Sequence, residues 1–175
     1  YRMWSDEHEG HFPWDVAQAD GGTMGLSDKY LTADFIVISN ELVTPKVIVC
    51  PADKLRTPAT NWSGVDKQSN TRLSYIKAEK AEERYSGHPI TADLNLNKSA
   101  LGATATKWGP TITTANYTKV YWDQTLHNRC GNMGLVDGSA QQTSDSQMRD
   151  FLFVALRDRG GSGFGFRWPD NPASY

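Results

Sequence analysis

The chain has 175 residues, a formal net charge of -2, 38% apolar and 22% charged residues. That length fits one domain with a real core, and the balance carries no disorder signature. The near-neutral charge argues against electrostatic capture of nucleic acid or anionic lipid, and no apolar run approaches the roughly 20 residues that span a bilayer. Six Trp, seven Tyr and six Phe, with abundant Thr, Asn and Gly, lean toward a β-rich extracytoplasmic protein. Two cysteines, Cys50 and Cys130, would form one disulfide in an oxidising compartment or remain buried free thiols, and their spacing does not choose between these.

Tyr1 to Glu9 reads as the last turns of a helix, with Gly10 as its stop and Pro13 just beyond. No N-cap precedes Tyr1, so this helix is expected to begin upstream. His11-Phe12-Pro13-Trp14 leads into a turn at Gly21-Gly22. A second helix is expected from Ser27 as N-cap to about Leu42, because Leu31, Phe35, Ile38 and Leu42 recur at helical spacing. Its alternative is a strand over Phe35 to Ser39. Pro45 ends the element, and the β-branched run Lys46 to Cys50, closed by Pro51, reads as a buried strand. Arg56 to Asn70 reads as a surface loop, Leu73 to Ile76 as a strand, and Glu79 to Arg84 as a solvated charge run. His88 to Asp93 is again strand-like. A polar loop covers Asn95 to Pro110, and Lys119 to Trp122 approaches the most informative stretch, which begins at His127.

That stretch reads His127-Asn128-Arg129-Cys130-Gly131-Asn132-Met133-Gly134-Leu135-Val136-Asp137-Gly138. Asp137-Gly138 lies between an apolar run (Met133, Leu135, Val136) and a polar one (Ser139 to Thr143). The pattern predicts a hairpin with a two-residue turn, both turn residues at positive φ. Ser144 with Gln147 three residues on fits a capping box. The helix it starts runs to about Arg157, with Met148, Phe151, Leu152, Ala155 and Leu156 as its apolar stripe. Gly160-Gly161 ends that helix. The aromatic tail Phe164 to Pro169 reads as an extended segment laid on the domain surface, and no internal repeat is visible.

Several of these features occur in a telling order: the helix remnant, Phe12-Pro13-Trp14, Cys50-Pro51-Ala52-Asp53, Ser74-Tyr75, and Leu126-His127 through Gly131-Asn132 to Asp137-Gly138. Together they resemble the prepilin-like proteins with an N-terminal methylation motif that abound in planctomycete and verrucomicrobial bacteria. Those proteins are similar to the pseudopilins of type II secretion. The family's Cys-Pro-Ser-Asp-like element matches Cys50, Pro51 and Asp53, with Ala52 in place of the Ser. Its His-x9-Asp-Gly element matches His127, Asp137 and Gly138, with Gly131 and Asn132 between them.

The resemblance implies a pilin-like α+β fold over 1–175 as one domain: an N-terminal helix end packed on a small antiparallel sheet, with additional helices and long loops. It also implies a membrane-inserted segment ahead of Tyr1, processed by a prepilin peptidase. The protein would stand on the periplasmic face of the inner membrane or in the cell envelope. Its partners would be other pilin-like subunits and the secretion machinery, with no nucleic acid, no enzyme activity and no cofactor. Major pseudopilins carry a calcium site near the C-terminus; here Asp158, Asp170 and Asn171 would supply hard oxygen ligands, although no Asp-x-Asp-x-Asp loop is present.

Rival chemistries find less support. His127 with Asp123 and Asp137 invites a catalytic or metal-assisted hydrolase reading, but no Gly-x-Ser-x-Gly nucleophile elbow occurs, and the turn already accounts for Asp137. His127 reads instead as a structural residue pinning the loop ahead of the hairpin. His8 and His11, flanked by Glu7 and Glu9, are the best transition-metal pair, yet Gly10 between them spoils a shared helical face. Gly161-Ser162-Gly163-Phe164-Gly165 follows a helix and lacks a Lys-Ser/Thr pair, so it is no phosphate loop. The aromatic loops leave open a secreted carbohydrate- or peptide-binding module.

Overall fold

The computed structural model describes residues 1–26, 31–66, 70–97 and 111–169. They form a mixed α+β protein with a five-stranded antiparallel sheet. Two compact units are present: Tyr1–Tyr75, to which Pro169 belongs, and Ile76–Trp168. No helix among the described residues is long and apolar enough to cross a membrane.

The first unit is built from short helices and turns. Helix α1 (Arg2–Asp6) is shorter than the expected Tyr1 to Glu9. It stops early because the His8 ring stacks on Trp4 at 3.6 Å and its Nδ1 lies 2.8 Å from the Trp4 carbonyl oxygen, taking a place in the helix ladder. Glu9 and Gly10 then both take positive φ, 56° and 78°, and complete the stop. The helix expected to end near Leu42 is divided into α2 (Leu31–Val37) and α3 (Ser39–Leu42), and its expected N-cap Ser27 lies outside the described residues.

Lys46 to Cys50 is not a strand. Pro45 starts a 3-10 turn over Pro45–Ile48, and the Thr44 hydroxyl accepts the Lys46 N–H. The β-branched run is there to fill space. Ile48 and Val49 pack with Leu31, Phe35 and Leu73 in this unit's core, an arrangement that needs bulk but no ladder. Just before it, Val43 sits at φ 63, ψ -52, while Thr44 N–H donates to Leu42 O across a tight three-residue turn of 2.6 Å.

The second unit carries the sheet, in the order β4-β3-β2-β1-β5: β1 Tyr75–Ala78, β2 Pro89–Asp93, β3 Gly131–Leu135, β4 Ala140–Thr143 and β5 Phe166–Arg167. Helix α4 (Asp145–Asp158) has the expected capping box, Ser144 and Gln147 each bonding the other's backbone N–H. Its buried residues Met148, Leu152, Ala155 and Leu156 share one core with Ile76, Ala92, Met133 and Phe166. Gly160 and Gly161, at φ 63° and 82°, end it as expected.

The aromatic tail does not lie on the surface. Phe164, Phe166 and Trp168 are 4%, 0% and 5% exposed, and Phe166–Arg167 pairs with β1. Aromatics at every second position put one face of an extended chain into the core.

Candidate functional site

The turn of the β3–β4 hairpin holds three residues rather than two. Leu135 N–H donates to Ser139 O at 2.8 Å and Gly138 N–H to Leu135 O at 3.0 Å, so Val136, Asp137 and Gly138 form the loop. Only Gly138 takes positive φ, at 87°. This is the longer hairpin loop, a type I turn closed by a left-handed glycine. Asp137 is free to use its side chain: Oδ1 accepts Ser139 N–H at 2.9 Å and Ser139 Oγ–H at 2.7 Å. Those bonds, the hydroxyl first, hold its carboxyl below the usual range. The turn is anchored through Val136 N–H to His88 O and Asp137 N–H to Ser86 O, both 3.0 Å.

Upstream of the hairpin, the loop 123–130 is tied at its neck. Asn95 is 1% exposed, and its Nδ2 donates to Asp123 O at 3.1 Å and to Cys130 O at 2.9 Å. Its backbone carbonyl accepts Asp123 N–H at 2.8 Å. Asn95 Oδ1, by contrast, is buried without a hydrogen-bond partner. Within the loop, Asp123 Oδ1 accepts both Thr125 N–H (2.8 Å) and Thr125 Oγ–H (2.5 Å). Asn128 and Arg129 both take left-handed φ, 49° and 64°, which turns the chain back toward β3.

His127 is 22% exposed at its side chain, and its Nε2 lies 3.2 Å from Oδ2 of Asp93, which is 1% exposed. The same Oδ2 accepts Asn132 N–H at 2.7 Å and Asn132 Nδ2–H at 2.8 Å. One buried carboxylate at the end of β2 thus gathers His127 and Asn132, the two motif residues on either side of the loop exit. Hydrogen bonds to a charged group are worth about 1.5–3 kcal/mol each, enough to hold this corner. Gly131, between them, leaves room for the Trp122 ring: a Cβ there would sit 2.4 Å from Trp122 Cε3. Trp122 Nε1–H donates to Thr143 Oγ1 at 3.1 Å, and Thr143 Oγ–H donates to Gly131 O at 3.2 Å.

Among the motif residues of the first unit, Asp53 organises a polar cluster within that unit. Asp53 Oδ2 pairs with Arg56 Nη1 at 2.9 Å and accepts Ser74 Oγ–H at 2.8 Å, while Oδ1 accepts Leu55 N–H at 3.0 Å. Both ionic side chains are nearly sealed from solvent, at 2% and 1% exposure. Burial works to raise the Asp53 pKa, but Ser74, Arg56 and the Leu55 N–H together hold it below the ordinary value. Cys50 O accepts Asp53 N–H at 2.9 Å, closing the turn that Pro51 starts. Neither Cys50, which is buried, nor Cys130, which is half-buried, is in a disulfide, so the disulfide alternative is not realised.

The other sequence candidates are otherwise engaged. Asp123 caps Thr125 and Asp137 caps Ser139, so neither carboxylate is given over to orienting His127. His8 is stacked on Trp4. Asp158, offered for calcium, receives two Arg157 N–H bonds at 2.9 and 2.7 Å and lies 3.3 Å from His88 Nε2; Asp170 and Asn171 lie outside the described residues. In sequence, Asp93 and Asn95, the organising residues, mark only a strand end and a loop start. Their spacing carries no signature of the chain they hold some thirty residues later.

Chemically, Asp93 and His127 offer one oxygen and one nitrogen donor of the kind a borderline divalent metal accepts. Asp93 Oδ2 is already spent on two Asn132 donors, so the pair as it stands is an anchor. No family model, curated protein or solved structure matches this chain.

Proposed function

We propose that this chain is the globular part of a pilin-like structural subunit, related to the pseudopilins of type II secretion, that carries out no reaction itself. One observation carries the reading: the His-x9-Asp-Gly residues are engaged in holding their own loop and hairpin together. Asp93 gathers His127 and Asn132, Asp137 holds Ser139, and Gly131 makes room for Trp122. Such residues define a shape rather than present a reactive group. The α+β class with an antiparallel sheet is compatible with a pilin-like fold. In this reading the protein stands on the periplasmic face of the inner membrane, anchored by a helix ahead of Tyr1, and assembles with like subunits.

The test is the coding sequence upstream of Tyr1. A short basic leader, a processing site with a Glu a few residues later, and an apolar helix of about 20 residues are expected. An ordinary cleaved signal peptide, or a start near Tyr1, would overturn the reading. A second reading, a small metal-assisted hydrolase, has the 3.2 Å Asp93–His127 pair in its favour. Elemental analysis of the purified protein decides it: stoichiometric zinc or manganese supports it, and their absence removes it.

A further inference from the structure

His88, which no motif includes, is the most enclosed ionisable ring of the second unit, with 4% of its side chain exposed. It stands just ahead of β2. Its N–H donates to Tyr85 O at 2.9 Å and its carbonyl accepts Val136 N–H at 3.0 Å, so the Tyr85–His88 turn carries the tip of the β3–β4 hairpin. The ring stacks on Tyr85 at 4.4 Å, and Nε2 lies 3.3 Å from Asp158 Oδ2 on the last residue of α4.

We propose that His88 is an acid-sensitive latch: with its ring neutral it clamps the hairpin turn to the end of α4, and on gaining a proton it releases that turn. A proton would place a charge on a ring stripped of water. Asp158 would welcome it, as would Glu82 and the C-terminal end of α4. Asp158 is already engaged by two N–H groups of Arg157, however, at 2.9 and 2.7 Å. Arg159 adds a second guanidinium beside the ring. On the side of the preceding turn, Arg84 lies 4.6 Å from the Tyr85 ring centre and pairs with Glu82 at 2.8 Å. Glu79 and Lys80 line a small cavity against His88 and Arg159, with room for about one water. Among these groups burial dominates: it holds the ring's pKa below the ordinary 6.5, Arg159 helping and Asp158 and Glu82 opposing.

The folded state takes its proton at lower pH than the unfolded state, so stability is full above pH 6.5 and falls as pH drops from there to the folded midpoint. In that window local opening should rise by up to about tenfold per pH unit.

The experiment is NMR on the purified chain between pH 4.5 and 8, following the His88 ring and, by hydrogen exchange corrected for intrinsic rate, the Val136 and Asp137 amides. The latch predicts a ring midpoint below 6.5 and a loss of Val136 and Asp137 protection beginning below pH 6.5. In His88→Gln, whose amide can still donate toward Asp158, protection should be retained and its pH dependence lost. A ring midpoint at or above 6.5, protection unchanged across the titration, or the same pH dependence in His88→Gln would each overturn the proposal. Should His88→Gln not fold, the wild-type ring and amide titrations alone decide.

Discussion

Replacing Gly131 by Ala tests the corner that joins the motif to the core. The added Cβ would lie 2.4 Å from Trp122 Cε3 and 2.5 Å from Cδ2 and Cζ3, where carbon contacts normally settle at about 3.5–4.0 Å. The obstacle is the flat face of a ring, not the tip of a flexible side chain. That ring is 1% exposed, and Trp122 is fixed through Nε1 to Thr143 at 3.1 Å and through its backbone N–H to Asp145 at 2.8 Å. Retreat by about 1 Å overpacks the core, costing about 1–3 kcal/mol, and strains the Thr143 bond, worth about 1 kcal/mol. Ala restricts the unfolded chain and returns about 0.4–1 kcal/mol. The net expectation is a loss of about 1–3.5 kcal/mol, read by urea denaturation followed by far-UV circular dichroism. Trp122→Leu in the same chain should make the Gly131→Ala penalty smaller than in the parent, since the two side chains compete for one space. A loss under about 0.5 kcal/mol, or strict additivity, would refute this packing argument.

Gly138→Val should cost about 1–2 kcal/mol, because Gly138 stands at φ 87° and a β-branched side chain resists that region; an unchanged melting temperature would speak against the turn. Asp53→Ala should cost about 3–5 kcal/mol by leaving Arg56 charged and enclosed, measured by chemical denaturation. Since the Asp53 carboxyl is held below its ordinary value, its contribution is present above about pH 4 and drains away as pH falls through the folded pKa. A wild-type melting temperature that falls more steeply below pH 4 than that of Asp53→Asn is the expected signature, and parallel curves would exclude it. Val43→Gly should stabilise by about 0.5–2 kcal/mol: Val43 is 80% exposed at φ 63°, so relief of about 1–3 kcal/mol of strain outweighs the entropy of glycine. A lowered melting temperature would show that the turn is not strained.

Local chemistry was the legible part. The Ser144–Gln147 capping box, the stripe of α4 and the glycine stop at Gly160-Gly161 need only neighbours in sequence, and all are present. The hairpin was visible too, although its loop length was not: Asp-Gly serves both the two-residue turn and the end of a three-residue one. Lys46 to Cys50 misled because β-branched bulk reports burial before it reports a ladder, and Pro45 had already committed the chain to a turn. The tail misleads because glycines beside its aromatics suggest a surface segment, whereas the period-two spacing of Phe164, Phe166 and Trp168 places their rings in the core. Asp93 and Asn95 were beyond reach, since their meaning lies in partners brought close only by β2 pairing with β3.

The pairing of Lys77 with Arg167 has a consequence for how the second unit comes into being. The first strand of the sheet waits for the last, and everything between must be synthesised before the edge beside β1 is covered. Closing so long a loop is entropically slow. A nascent chain stalled near Gly163 would expose the outer edge of β1 and leave the pocket for Phe166 unfilled, an invitation to pairing with another chain. The aromatic tail is therefore the unit's timekeeper: its arrival covers the edge of β1 at Lys77 and Ala78 and passes the role of edge strand to the two-residue β5.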